Sequence, residues 1–171
     1  MLKLYHHPFS RAAGVLWTLE EVGEPYDLVH VDILKGAQKT GDVIANNPMG
    51  KVPLLLDGDT VVTEAAAIAL YLADRYAYGR LAPKLDDPRR ATYLRWILFA
   101  PSVIEPASLA KANSWPYKAS QAGWGEYDAM LTAIDTALVG GPFICGDMFT
   151  IADVVFGGTL RYMTMFKLLN P

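Results

Sequence analysis

The stretch that most constrains the fold is residues 47–65. It reads Asn47-Pro48-Met49-Gly50-Lys51-Val52-Pro53-Leu54-Leu55-Leu56, then Asp57-Gly58-Asp59, then Thr60-Val61-Val62-Thr63-Glu64-Ala65. Two short apolar runs flank a tight polar turn, the pattern of a β-hairpin. Pro53 opens the first run, and a residue without an N–H suits a strand's first position or a sheet edge. A cis Val52-Pro53 bond is accessible there and would present the Val52 backbone outward. The second run leads straight into a helix over 63–76, with Glu64 in its first turn. Free N–H groups and the positive dipole end of such a start hold carboxylates well. A loop, a strand start and a helix start therefore converge. The arrangement suits a small peptide-like ligand, or equally a loop punctuated by proline and glycine.

The segments around this stretch set the architecture. Residues 2–5 read as a short strand, His6-His7-Pro8-Phe9 as a turn, and Ser10 as the cap of a helix running to Val22. Val15, Leu16, Leu19 and Val22 give that helix an apolar face at spacings of three and four. Gly23 and Pro25 end it, and residues 26–32 alternate as a second strand. Strand, helix, strand favours parallel pairing with a right-handed crossover. Residues 34–45 read as a short helix or a loop with one turn. The first domain, 1–77, is thus expected to be β-α-β followed by β-β-α around a small mixed sheet. Gly79, Pro83 and Pro88 mark 78–88 as a linker. From there to residue 171 the pattern is all-helical, with helices over 89–100, 121–139 and 150–166. Pro101 and Pro106 kink or interrupt the segment after the first of these.

Composition narrows the function classes. The chain has 171 residues, 52% apolar and 19% charged, which allows one domain or two small ones and argues against general disorder. A net charge of -3 gives no electrostatic pull toward nucleic acid or an acidic membrane. One cysteine, Cys145, forms no internal disulfide and no metal cluster, and suggests a reducing compartment. The N-terminus lacks a signal peptide's apolar core, and no apolar run is long enough to span a bilayer. A cytoplasmic protein is the expectation.

Ser10, between the first strand and the first helix, has two readings. As an N-cap it only accepts a backbone N–H. As a donor at the positive end of a helix it stabilises a bound thiolate, whose thiol ordinarily has a pKa of roughly 8.5. Resemblance to a known family favours the second reading. Lys3-Leu4-Tyr5-His6-His7-Pro8-Phe9-Ser10-Arg11-Ala12-Ala13, with Leu19-Glu20-Glu21-Val22-Gly23-Glu24-Pro25-Tyr26, resembles the opening of cytosolic-type glutathione transferases. Asn47 to Pro53 is similar to the segment around that family's cis-proline. Phe149-Thr150-Ile151-Ala152-Asp153 resembles the helix-capping signature of the family's second domain, and the serine arrangement looks most like the bacterial members.

The resemblance implies a thioredoxin-like domain with a mixed four-stranded sheet, then an all-α domain, the glutathione transferase fold. It implies glutathione as co-substrate, its thiol near Ser10. Its cysteinyl part would pair with the Val52 backbone beside Pro53, and its γ-glutamyl end would sit at Glu64 and the N–H of Ala65. Lys51 would meet its glycine carboxylate. A small hydrophobic electrophile would receive the thiolate, as in detoxification, between Ser10 and the helical domain. Tyr5 is the alternative thiol donor, since some classes use a tyrosine at the end of the first strand; its other reading is a core aromatic. His7 reads as structural or as bordering the implied pocket, and Arg11, adjacent to the implied thiolate, as raising local positive potential or as facing solvent. Ala65 departs from the pattern by lacking a hydroxyl, and the family usually continues past the length of this chain, so a short or a truncated member is expected. A homodimer is expected from the resemblance and the low charged fraction, two-fold symmetry being the commonest closed arrangement. The helices beginning at Thr63 and Arg89 would face the partner.

The remaining features read as structural. Thr150 and Asp153 have capping-box spacing. Cys145 reads as a buried thiol. His6, His7 and His30 lack the spacing and carboxylate company of a metal site. Trp115 and Tyr117 read as an aromatic substrate wall or as a mobile inter-helix loop. Besides transfer to an electrophile, three readings remain open: a glutathione-dependent reductase or peroxidase, an isomerase or dehalogenase, and a noncatalytic glutathione-binding module.

Overall fold

The computed structural model describes residues 1–169; Asn170 and Pro171, on which the reading of the chain's length rested, lie outside the described residues. It divides into a unit spanning Met1–Tyr78 and a second unit that starts at Gly79. The first carries a four-stranded mixed sheet formed by β1 (Leu2–His6), β2 (Tyr26–His30), β3 (Leu54–Asp57) and β4 (Thr60–Thr63), in the order β2-β1-β3-β4. The second is built of helices, so the expected thioredoxin-like α/β part followed by an all-α part is what the chain folds into.

Strand β1 (Leu2–His6) pairs parallel with β2 (Tyr26–His30) across helix α1 (Ala12–Val22). The hairpin of β3 (Leu54–Asp57) and β4 (Thr60–Thr63) then lies antiparallel on β1's other side. Side chains alternate along each strand, so the paired Leu4 and Leu55 face one side of the sheet and the paired Tyr5 and Leu54 the other. The Tyr5 face closes over Val31 and Val43, with Val29, Ile33, Val52 and Leu56 packed against them. Val15 and Leu19 of α1 and Ile68 and Leu72 of helix α3 (Ala65–Tyr76) are buried against the opposite face.

Several boundaries differ from the sequence reading, each for a local reason. Helix α1 starts at Ala12, two residues after Ser10, because His7–Arg11 first closes a turn in which the Ser10 N–H donates to His7 O at 3.1 Å. The β2 strand stops at His30. Residues 34–45 resolve into two single 3-10 turns and helix α2 (Gly41–Asn46). Glu64 is the N-cap of α3, so that helix starts two residues later than Thr63.

In the second unit, helix α4 (Arg89–Phe99) runs into a π-helical turn, Ala100–Ile104, and on into helix α5 (Glu105–Ala112). Pro101 and Pro106 sit in and just after this wide turn, which accommodates a residue that makes no i→i−4 bond. The helix expected over 121–139 is shorter. Gly125 has a φ of 66°, and helix α6 (Tyr127–Val139) begins only after it. Of residues 78–88, read as linker, Tyr78 counts with the first unit and the rest with the helical unit. Leu81 and Ala82 are buried, and Leu81 O accepts the Ile151 N–H at 2.9 Å.

Helix α7 (Ile151–Met165) starts with the capping box that the sequence spacing implies. Thr150 Oγ1 accepts the Ala152 N–H at 3.3 Å, and Asp153 Oδ2 accepts the Thr150 N–H at 2.8 Å. The second carboxylate oxygen of Asp153 accepts the Ile144 N–H at 2.7 Å, tying the preceding turn to the same side chain. That turn carries Cys145, only 5% exposed, whose thiol is pushed up by burial. Trp96 of α4 meets Phe156 of α7 edge to face at 5.2 Å between ring centres. No helix among the described residues is long and apolar enough to cross a membrane.

One charge cluster locks the hairpin of the first unit to α3. Asp57 Oδ2 accepts from the Tyr76 hydroxyl at 2.5 Å and the Tyr71 hydroxyl at 2.8 Å, and Arg75 Nε lies 3.0 Å away. The Tyr76 hydrogen bond, with help from Tyr71 and Arg75, holds the Asp57 carboxyl below the usual carboxylate range against the opposing effect of burial. A depressed folded-state pKa contributes stability above the unfolded value that disappears as pH falls through the folded one. Acid titration below about pH 4 should therefore release this contribution, and Asp57→Asn should flatten the acid limb of a stability-against-pH curve. At neutral pH the substitution should cost about 1.5–3 kcal/mol, read from urea unfolding.

Candidate functional site

Pairing register explains why distant segments share one end of the sheet. Tyr5 pairs with Leu54, and Leu54 pairs with Thr63. β3 therefore begins and β4 ends along a single row, one residue before β1 ends at His6. The turn over residues 7–11, the Val52-Pro53 bond and the Glu64-Ala65 step all lie next to that row. His30 joins at the neighbouring position, paired with His6.

The first segment is crowded with polar groups. Ser10 is 9% exposed, and its hydroxyl donates to His7 O at 2.7 Å while accepting the Ala12 N–H at 3.2 Å. It thus serves as a first-turn cap for α1, and its proton points to His7. His7 is buried, and its Nδ1 accepts the Phe9 N–H at 3.2 Å. The imidazoles of His6 and His7 lie 6.0 and 5.5 Å from that of His30, centre to centre. Burial, then His30 and His7, push the His6 pKa down. Among the described residues no group of histidine, cysteine or acidic side chains is disposed to hold a metal. Arg11 is half-buried at the N-cap of α1.

Tyr5 is placed differently from Ser10. It is 5% exposed within the apolar cluster, and its hydroxyl donates to Asp42 Oδ2 at 2.7 Å. The hydrogen bond to Asp42, then burial, raises its pKa to about 12. A phenol so engaged stays protonated and committed to a carboxylate at neutral pH.

The second segment is a built loop. The Val52-Pro53 bond is cis. Asn47 Nδ2 donates to Lys51 O at 3.0 Å, and Asn47 Oδ1 accepts the Met49 N–H at 3.1 Å. Lys39 Nζ donates to Met49 O at 2.8 Å. Gly50 has a φ of +55°, and a Cβ there would meet Lys39 Cδ at 2.8 Å, so the loop needs glycine at this position. Among the described residues the Val52 N–H and carbonyl have no backbone partner. The exposed Lys51 side chain makes no hydrogen bond or ion pair to another described residue. Sequence reasoning picked out this loop but missed Asn47 as the residue that holds it. The signal was available, since asparagine two residues before the N–H it accepts is an Asx-turn pattern.

The third segment is strained. Glu64 is exposed and adopts φ 69° and ψ 123°, outside the regions ordinary residues favour. Such a conformation costs of order 1–3 kcal/mol and clusters at functional positions. No side chain caps α3, so the N–H groups of its first turn, Ala65 foremost, remain available beside that carboxylate. Glu64→Gly should raise the thermal midpoint by a few degrees, because glycine adopts φ > 0 freely, whereas Glu64→Ala should not. Differential scanning calorimetry of the two variants beside the parent makes the comparison.

Comparison with known proteins gives the family. Residues 1–74 match the family model "Glutathione S-transferase, N-terminal domain", and residues 117–168 match "Glutathione S-transferase, C-terminal domain". The glutathione S-transferase GstA of Escherichia coli O157:H7 is 31% identical over 171 residues, covering 98% of this chain and 85% of that protein. A delta-class glutathione transferase from Nilaparvata lugens superposes with a TM-score of 0.80 at 26% identity, over 98% of this chain and 80% of that one. A glutathione transferase homologue from Sulfitobacter, solved with bound glutathione, superposes with a TM-score of 0.72 at 28% identity, over 96% of this chain and 83% of that one. The chain belongs to the glutathione S-transferase family.

Proposed function

We propose that this protein is a glutathione transferase that joins the sulfur of glutathione to a small hydrophobic electrophile. The observation that carries the reading is the unpaired Val52 backbone beside the row where β3 begins and β4 ends. An extended tripeptide adds to such a backbone as a strand does, through its own N–H and C=O. Glu64 and the Ala65 N–H take its γ-glutamyl end, and Lys51 takes its glycine carboxylate. Ser10 at the start of α1 faces the thiol, with His7 and Arg11 bordering the pocket.

In this reading the thiol gives its proton to solvent, the thiolate attacks an electrophilic carbon, and the S–C bond forms as the leaving group departs with its bonding pair. The α1 N-terminus and Ser10 lower the thiol pKa, and binding holds both reactants close. To donate to sulfur the Ser10 hydroxyl must turn away from His7 O, its acceptor without ligand. The similarity to the Escherichia coli relative supports a bacterial-type enzyme. We place it in the cytoplasm, whose thiol poise glutathione sets, as a detoxifying enzyme that acts as a homodimer with no metal. The exposed Phe9, Met49 and Leu98 supply apolar surface for assembly.

A second reading, a noncatalytic glutathione-binding module, draws on Ala65, which lacks a hydroxyl, and on the engaged Ser10 hydroxyl. Ultraviolet absorbance of the bound thiolate against pH separates the two. The parent should show a thiol pKa well below the free value of roughly 8.5, and Ser10→Ala should raise it by one to two units, from about 1.5–3 kcal/mol for one donor to an anion. Glutathione bound without any thiolate at neutral pH would favour the module. Sedimentation equilibrium at tens of micromolar should give the mass of a dimer, and a monomer alone would remove that part of the proposal.

A further inference from the structure

Tyr5 holds both ends of one segment. Its backbone pairs with Leu54, the first residue of β3, just after the cis bond. Its hydroxyl reaches Asp42 in the first turn of α2 at 2.7 Å, across 37 positions of sequence. Everything between these anchors is the α2 helix and the loop that carries Lys51 and Val52. The six residues of α2 bury only Val43, which packs in the same cluster as the Tyr5 ring. So short a helix has little stability of its own. From α2 the constraint passes onward: the Asn47 N–H donates to Val43 O at 2.8 Å, and the Asn47 side chain fixes Lys51 O and the Met49 N–H.

We infer that the Tyr5 hydroxyl is a positioning group, a strut from β1 to Asp42 that keeps α2 seated and thereby presents the Lys51–Val52 backbone for ligand. The part played by ligand rests on the glutathione reading above; the seating of α2 does not. The inference also assigns Tyr5 a role distinct from thiol activation. Asp42 is exposed and lies outside the apolar cluster, so removing it tests the strut without opening the core.

The experiment uses the full chain with Tyr5→Phe, Asp42→Ala and the double substitution. Amide hydrogen exchange across 42–51 is read first, without ligand. Each single substitution should speed exchange there by about tenfold or more, the scale set by losing a hydrogen bond to a charged group. The double variant should add little to either single one, because both remove the same bond. Asp42→Asn, which keeps an oxygen acceptor, should recover part of the protection. Glutathione kinetics are read second. Tyr5→Phe and Asp42→Ala should each raise KM for glutathione several-fold, with kcat and the thiolate titration little changed. Exchange unmoved in Asp42→Ala, or additive effects in the double variant, would overturn the strut. A thiolate pKa that rises in Tyr5→Phe but not in Asp42→Ala would overturn it too, and make Tyr5 the thiol donor. Should the parent fail to bind glutathione, the functional reading fails, while the exchange data still decide whether the strut exists.

Discussion

A ladder of hydrogen bonds running Tyr5–Leu54–Thr63 across the sheet is the constraint on which the site depends. Side chains reverse face with every residue, so a slip of one position in either pairing would turn Tyr5 or Leu54 out of the apolar cluster. The register is therefore enforced by burial of Leu4, Leu54 and Leu55, all fully shielded from solvent. Once the row is fixed, the three loops that leave it have no choice but to share one end of the sheet. The apolar core determines where the polar site lies, although no core residue needs to touch a ligand.

The helical unit reaches the same economy by another route. Asp153 is an acceptor for three donors, the Ile144 and Thr150 N–H groups and the Thr150 hydroxyl. One carboxylate thus ends the 143–148 turn and starts α7. The Ile151 N–H, the next donor of that helix start, is taken by Leu81. A helix beginning so thoroughly satisfied is fixed in direction, which lets Phe156 meet Trp96 at a defined angle.

Legibility from sequence followed the range of the interactions. The hairpin turn at Asp57–Asp59, the cis-proline position and the Thr150–Asp153 box are local, each encoded within a few residues, and all were readable. Helix ends were less so. Ser10 does accept the Ala12 N–H, as its residue type suggests, but it sits within the turn closed onto His7 O, and the helix starts only at Ala12. Residues 121–126 carry helical apolar spacing through Trp124, and Gly125 at positive φ overrides it. The partners of Tyr5 and Asp57 were not legible at all. A phenol and a carboxylate 37 positions apart leave no pattern in a single sequence.

The placement of Cys145 has a consequence for a protein of this family. A thiol raised by burial holds its proton, and thiol–disulfide exchange proceeds only through thiolate. With 5% of its surface exposed, it also offers no approach for an attacking sulfur. Mixed disulfides between Cys145 and a small thiol in solution are thereby discouraged on both counts. The chain's single sulfhydryl is thereby held as a protonated packing group rather than as a nucleophile.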